Sequence, residues 1–146
     1  MNLSEKGIII RKTVEPDLPQ IYSHGSSEPL FQNLPFAFNP ENLTEIFSLE
    51  NSICLTAARK KKVLGFIIGS LKNEESAVHW IMVKDKLRKT GIGKELLKQY
   101  IEASKKDGAQ NFLIDVFKNN PESVKFFTGN GFSIENTFIK LTLQSD

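Results

Sequence analysis

Hydrophobic and polar positions along this chain fall into six extended stretches and four helical ones. Gly7 to Lys12 is rich in isoleucine and predicts a first strand. Thr13 and Asp17 are cap-type residues ahead of Leu18, Ile21 and Tyr22, a short helix that Pro16 and Pro19 hold near its first turn. His24 to Pro29 reads as a loop. Phe31, Leu34, Phe36 and Phe38 follow without a clean period, and they fit either a plug at the core edge or a substrate wall. Asn39 caps a predicted helix that opens at Pro40, carries Leu43, Ile46, Phe47 and Leu49, and stops at Asn51 or Ser52. Strands are predicted at Ile53 to Ala58 and Val63 to Leu71, joined by the polar turn Arg59 to Lys62. A tight connection, Asn73 to Ser76, leads to a strand at Val78 to Val83.

The chain then enters a glycine loop, Lys84 to Gly93, and a helix from Lys94 that stops at Asp107-Gly108-Ala109. Asn111 to Phe117 alternates as a strand, Asn120-Pro121 opens a short helix with Val124, Phe126 and Phe127, and Asn130-Gly131 closes it. Phe132 to Leu143 is the last extended segment. This order predicts a three-layer mixed α/β (α+β) domain with an antiparallel front and a parallel crossover behind.

The strand–loop–helix from His79 to Lys98 organises the rest. It gathers a helix N-terminus, Gly91, Gly93 and several cations in one place. Exposed N–H groups and the helix dipole bind anions there, and glycine lets a phosphate approach the backbone. The loop fits neither a P-loop, which needs Gly-Lys-[Ser/Thr], nor a dinucleotide fingerprint, whose third glycine position is Leu96. In isolation it also fits a plain tight turn before an ordinary helix.

Composition narrows the field. The 146 residues are 40% hydrophobic and 25% charged, which predicts one soluble globular domain over residues 1–146. A formal charge of +2 is too small to argue for nucleic acid, and the cations at Arg59 to Lys62 read better as a solvated turn. One cysteine, Cys54, excludes an internal disulfide and a thiolate-rich metal site, so no metal is expected. No apolar run reaches the length of a membrane span, and a cytoplasmic location is the expectation.

Arg88-Lys89-Thr90-Gly91-Ile92-Gly93, after a strand ending at Val83, resembles the acyl-CoA loop of the GNAT superfamily of N-acetyltransferases. Asn120 to Phe132, where an asparagine opens a helix and Gly131-Phe132 closes it, is similar to that family's second signature. Ile9 to Lys12 with Asp17-Leu18 is similar to its first strand and helix. The resemblance implies a central sheet of about six to seven strands with a splayed parallel pair and about four helices. It implies acetyl transfer from acetyl-CoA to a primary amine of a small molecule or protein, by direct attack in a ternary complex.

The resemblance also implies site residues. Backbone N–H groups of Arg88, Lys89, Thr90, Gly91, Ile92, Gly93 and Lys94 would hold the pyrophosphate, with Lys89 or Lys86 neutralising charge. Ile81, Met82 and Val83 would line the pantetheine arm, and the Ile81 N–H would face the thioester oxygen. Asn120 would contact the same arm while capping its helix. Phe127 counts with the cofactor-binding residues but stands where the family usually has a proton-donating tyrosine.

That departure supports an alternative, an acyl-CoA-binding sensor with weak or no turnover. The shortened final strands leave the pocket open on that side or completed by a second subunit, so a homodimer stays open.

Amine acylation needs a base more than an acid, because the amine is normally protonated and a thiolate leaves readily. His79 is the first candidate, the one strongly polar residue between Val78 and Met82. Strand alternation predicts His79, Ile81 and Val83 on one face, with His79 about 7 Å from Ile81. Arylalkylamine members of the family carry a histidine on this strand, and His79 looks similarly placed. The other reading of His79 is a hydrogen-bonded rim histidine. Glu28 is a second candidate base, otherwise a solvated loop carboxylate.

Overall fold

A computed structural model describes residues 2–28, 31, 36–84, 87–88, 90–116 and 120–134. They fall into two compact units, Met1–Ile114 and Asp115–Asp146. The first contains strands β1 (Ile9–Lys12), β2 (Ser52–Arg59), β3 (Lys62–Lys72), β4 (Glu75–Val83) and β5 (Asn111–Ile114), with helices α1 (Leu18–Ser26), α2 (Pro40–Ser48) and α3 (Ile92–Lys106). The second contains α4 (Pro121–Gly129).

The sheet runs β1-β2-β3-β4-β5. The first three pairings are antiparallel and β4–β5 is parallel, as the connections predict. A short turn at Lys60 joins β2 to β3, and Asn73–Glu74 joins β3 to β4. Asn73 and Glu74 both sit at positive φ, 50° and 68°, as the tightest hairpin turns require.

Alternation sorts β3 into two faces. Phe66 and Ile68 join Cys54, Trp80, Ile21 of α1 and Leu43 and Ile46 of α2 in one buried cluster. Gly65 and Gly69 face α3, where an added Cβ would meet Leu96 and Tyr100. α3 buries Ile92, Leu96, Leu97, Tyr100 and Ser104 along one stripe. Each large side chain buried this way contributes about 1.5–3 kcal/mol of hydrophobic stabilisation. The first unit is thus helix, sheet and helix in three layers.

Several expectations shift. Among the described residues the sheet has five strands rather than six or seven. Phe132 to Ile134 are not strand, and the remainder of the last predicted segment lies outside the described residues. β5 ends at Ile114, short of the predicted Phe117. α1 runs on through His24 and Gly25, where a loop was expected. Gly25 reads as a loop signal, but here its missing Cβ makes room for the Phe38 ring. Phe38 is buried and Phe31 and Phe36 pack beside it, so these rings plug the core edge. Leu34 lies outside the described residues.

Candidate functional site

β4 supplies the frame of the site. Its ladder with β5 covers only Glu75↔Asn111 to Val78↔Ile114, yet the strand continues to Val83. Among the described residues, the β5 ladder does not extend to Ile81, Met82 or Val83 on that edge. Ile81, Met82 and Val83 are half-buried along it.

On the other edge a bulge interrupts the β3–β4 ladder. Ile68 pairs with Trp80 and Gly69 with Val78, leaving His79 as the extra residue. The bulge resets the alternation. Ile81 and Val83 pair with Ile67 and Gly65 and face α3, whereas His79 sits with Trp80 on the α1/α2 face. The expectation that His79 shares a face with Ile81 and Val83 is therefore wrong, because a bulge adds a residue that a period of two does not count.

His79 is half-buried. Its Nε2 lies 3.1 Å from Ser70 Oγ, and its ring packs against Phe36 and Trp80 at centroid distances of 5.3 and 5.8 Å. Ser70 has no signature in sequence, since its pairing with His79 depends on the bulged register. Trp80 is 1% exposed, and its Nε1 has no hydrogen-bond partner among the described residues.

The loop after Val83 leads to α3, which begins at Ile92 rather than Lys94. Gly91 is the cap residue at φ 92°, with no side chain bonded to the helix start. The first bond of the helical ladder is Glu95 N–H to Gly91 C=O at 3.0 Å, so the N–H groups of Ile92, Gly93 and Lys94 precede it. A Cβ on Gly91 would meet nothing within 4 Å, so open space adjoins these donors. This is a fit for a phosphate. Thr90 Oγ1 donates to the Leu87 C=O and steadies the loop. Lys86 and Lys89 lie outside the described residues.

Arg88 donates from Nε to the Val83 C=O at 3.2 Å and pairs with Glu28 at 3.1 Å. Glu28, expected as a solvated carboxylate or a base, is thus an ion-pair partner of the loop. His24, one turn earlier, has Nε2 3.1 Å from the Val63 C=O. Burial pushes its pKa down, and Lys84 adds to the effect against that hydrogen bond. Cys54 is buried and desolvation pushes its thiol up to about 11, which makes it a poor thiolate nucleophile.

In the second unit, the Asn120 side chain accepts from the Ser123 N–H at 3.3 Å and caps α4. Phe127 is buried, edge-on to Phe126 and Phe132. No group of three or more potential metal ligands occurs among the described residues, and no described helix is long and apolar enough to cross a membrane.

A mixed sheet whose fourth strand outruns its parallel neighbour among the described residues, followed by a glycine-led helix, defines an α+β protein. The sequence pattern of the acetyltransferase (GNAT) family matches residues 17–132, and the chain belongs to that family. Curated proteins give no match.

Solved structures share the fold. The PaiA N-acetyltransferase of Thermoplasma acidophilum, in complex with coenzyme A, aligns at TM-score 0.78 and 22% identity, over 90% of this chain and 92% of its own. A ribosomal-protein alanine N-acetyltransferase of Escherichia coli aligns at 0.73 and 19%, over 88% and 79%. The aminoglycoside N-acetyltransferase AAC(6')-Iy, with a bisubstrate analogue of coenzyme A, aligns at 0.73 and 18%, over 94% and 99%.

Proposed function

We propose that this protein transfers the acetyl group of acetyl-CoA to a primary amine by direct attack within a ternary complex. One observation carries the reading: among the described residues the parallel β4–β5 ladder stops at Val78↔Ile114 while β4 continues to Val83, and the loop beyond ends at a helix start that Gly91 leaves without a side-chain cap. Under this reading the diphosphate lies on N–H groups between Arg88 and Lys94, and the pantetheine arm follows the backbone of Ile81, Met82 and Val83. The Ile81 N–H then meets the thioester oxygen, where a donor stabilises the charge that develops. Family membership supports the reaction class. Acetyltransferases of aminoglycosides and of a ribosomal-protein alanine on the same fold support an amine acceptor.

The chemistry follows from the proton balance. An alkylamine with a pKa near ~10 must first shed a proton. Its nitrogen then attacks the thioester carbonyl carbon; the C–N bond forms, the C–S bond breaks, and the electron pair leaves on sulfur. His79 is the base in this reading, with Ser70 steadying its ring. Its place on the α1/α2 face means that the amine arrives from that side. The Ile81 N–H remains within reach, because backbone donors of an edge strand point in the plane of the sheet rather than to either face. Glu28 is engaged by Arg88, which favours His79 over it.

A second reading, an acyl-CoA-binding regulator with little turnover, is favoured by Phe127, buried and without a hydroxyl where the family's acid stands. Thiol release from acetyl-CoA across a panel of amines separates the two. Turnover with some amine is expected, and His79→Ala should lower kcat by roughly a hundredfold with coenzyme A affinity retained. Tight binding of acetyl-CoA with no turnover on any amine would favour the regulator.

A further inference from the structure

We propose that Tyr100 is a positioning residue: its hydroxyl, seated in the gap left by Gly69, holds the bulge of β4 and so sets where His79 points. Tyr100 lies on α3, wholly buried. Its hydroxyl accepts from Ser76 Oγ at 2.7 Å and donates to the Ala77 C=O at 3.1 Å. Ser76 Oγ also bonds Ser104 Oγ at 2.9 Å. Burial pushes the Tyr100 hydroxyl up to about 12, so it keeps its proton and remains a donor.

The glycine is what makes this possible. A Cβ on Gly69 would fall on the Tyr100 hydroxyl and the Ala77 carbonyl oxygen. Gly69 pairs with Val78, and the next pair, Ile68 with Trp80, is where the register jumps past His79. The hydroxyl therefore grips β4 at Ala77, two residues before the bulge and one before the last described pair of its ladder with β5.

A slip of one residue would send Trp80 to the α3 face and Ile81 to the α1/α2 face. Three buried hydroxyls add little net stability over a packed apolar group, but they fix a geometry that apolar contacts leave loose. Tyr100 and His79 lie on opposite faces of the sheet, so the backbone of β4 is the link between them.

This inference rests on the acetyl-transfer reading for its kinetic consequence, while its structural half is readable without turnover. The chain has two histidines, His24 and His79, so the imidazole resonances report on one site each. In Tyr100→Phe, which keeps the ring, the His79 resonances should shift and those of His24 should stay. The kcat should fall at least roughly tenfold, the scale of a displaced catalytic group. Coenzyme A affinity should change less than about twofold. Gly69→Ala, which displaces the hydroxyl, should reproduce the pattern.

Unmoved His79 resonances in Tyr100→Phe would overturn the proposal, and so would a joint change of both histidines and of coenzyme A affinity, which marks general loosening. If the wild type acetylates no amine, acetyl transfer fails as a reading and the His79 shift still decides the role of Tyr100.

Discussion

The starts of α2 and α3 solve the same problem in opposite ways. A helix N-terminus leaves its first N–H groups without partners in the helix. At α2, Asn39 holds an extended backbone and its side chain accepts from the Asn42 N–H at 2.7 Å, with Pro40 in the first turn. At α3, Gly91 takes a left-handed backbone and offers no side chain at all. Capping residues cost the chain nothing to supply, and α4 has one in Asn120. Under the acetyl-transfer reading, the bare start keeps its donors for coenzyme A.

The comparison breaks most easily at Gly91. Gly91→Glu puts a carboxylate at the open donors and should weaken coenzyme A at least about a hundredfold, roughly 2.7 kcal/mol. Any side chain at φ 92° also carries backbone strain, so Gly91→Ala is the control. Calorimetric titration of both variants should show the glutamate far worse than the alanine. Equal losses would mean that backbone geometry, rather than a reserved anion site, explains the bare start.

The contrast between these starts was legible in the sequence, because it is written in local residues. Asn-Pro at 39–40 and 120–121 announces two caps, and Gly91 with Gly93 announces their absence. The strand order was legible too, since short polar turns force antiparallel neighbours and the long α3 crossover allows a parallel one.

The bulge was not. Val78, Trp80 and Ile81 suit either face, so no polar residue marks where the phase slips; the slip depends on Gly69 and Tyr100, far apart in the chain. The face of His79 followed that hidden step. The length of α1 was missed for a similar reason, since Gly25 serves Phe38 packing rather than a turn. Glu28 meeting Arg88 spans sixty residues of sequence and has no local sign.

Just ahead of α1, the 3-10 turn Glu15–Asp17 adds a third arrangement, an ion pair, although the Asp17 side chain does not cap α1 itself. Both oxygens of Asp17 accept from Arg11, at 2.7 and 2.9 Å, and Oδ2 also accepts from the Val14 N–H at 2.9 Å. The Arg11 guanidinium holds the Asp17 carboxyl below the usual carboxylate range, against the opposing effect of burial. A depressed folded-state pKa gives stability that is complete above the unfolded value, near ~3.9, and is lost as pH falls through the folded one. Asp17→Asn should therefore cost roughly 2 kcal/mol at pH 7 in urea unfolding, the scale of a charge-assisted contact. The gap from wild type should narrow as pH drops below about 4. A gap that stays constant with pH would show that the ion pair contributes nothing. Coenzyme A affinity should be unaffected, since neither partner belongs to the β4 edge or to the loop before α3.

Asn39→Ala gives the smallest effect and the cleanest contrast with Gly91. Removing the side chain strips the cap from α2 and also unties Asn42, whose Nδ2 donates to the Ala37 C=O at 2.8 Å beside it. The loss should be about 1 kcal/mol. Thermal unfolding should register it as a fall of about 3 °C for a chain of this size. Leu43 and Ile46 still bury against the sheet, so the helix persists and only its first turn frays. Coenzyme A affinity should stay within about twofold. The two glycine and asparagine positions then separate by observable: Asn39 moves stability without touching the ligand, and Gly91→Glu moves the ligand far more than stability. If Asn39→Ala weakened coenzyme A as strongly as it destabilised the fold, a helix start closed by its own side chain would be serving the ligand as well, and capping would cease to distinguish the two.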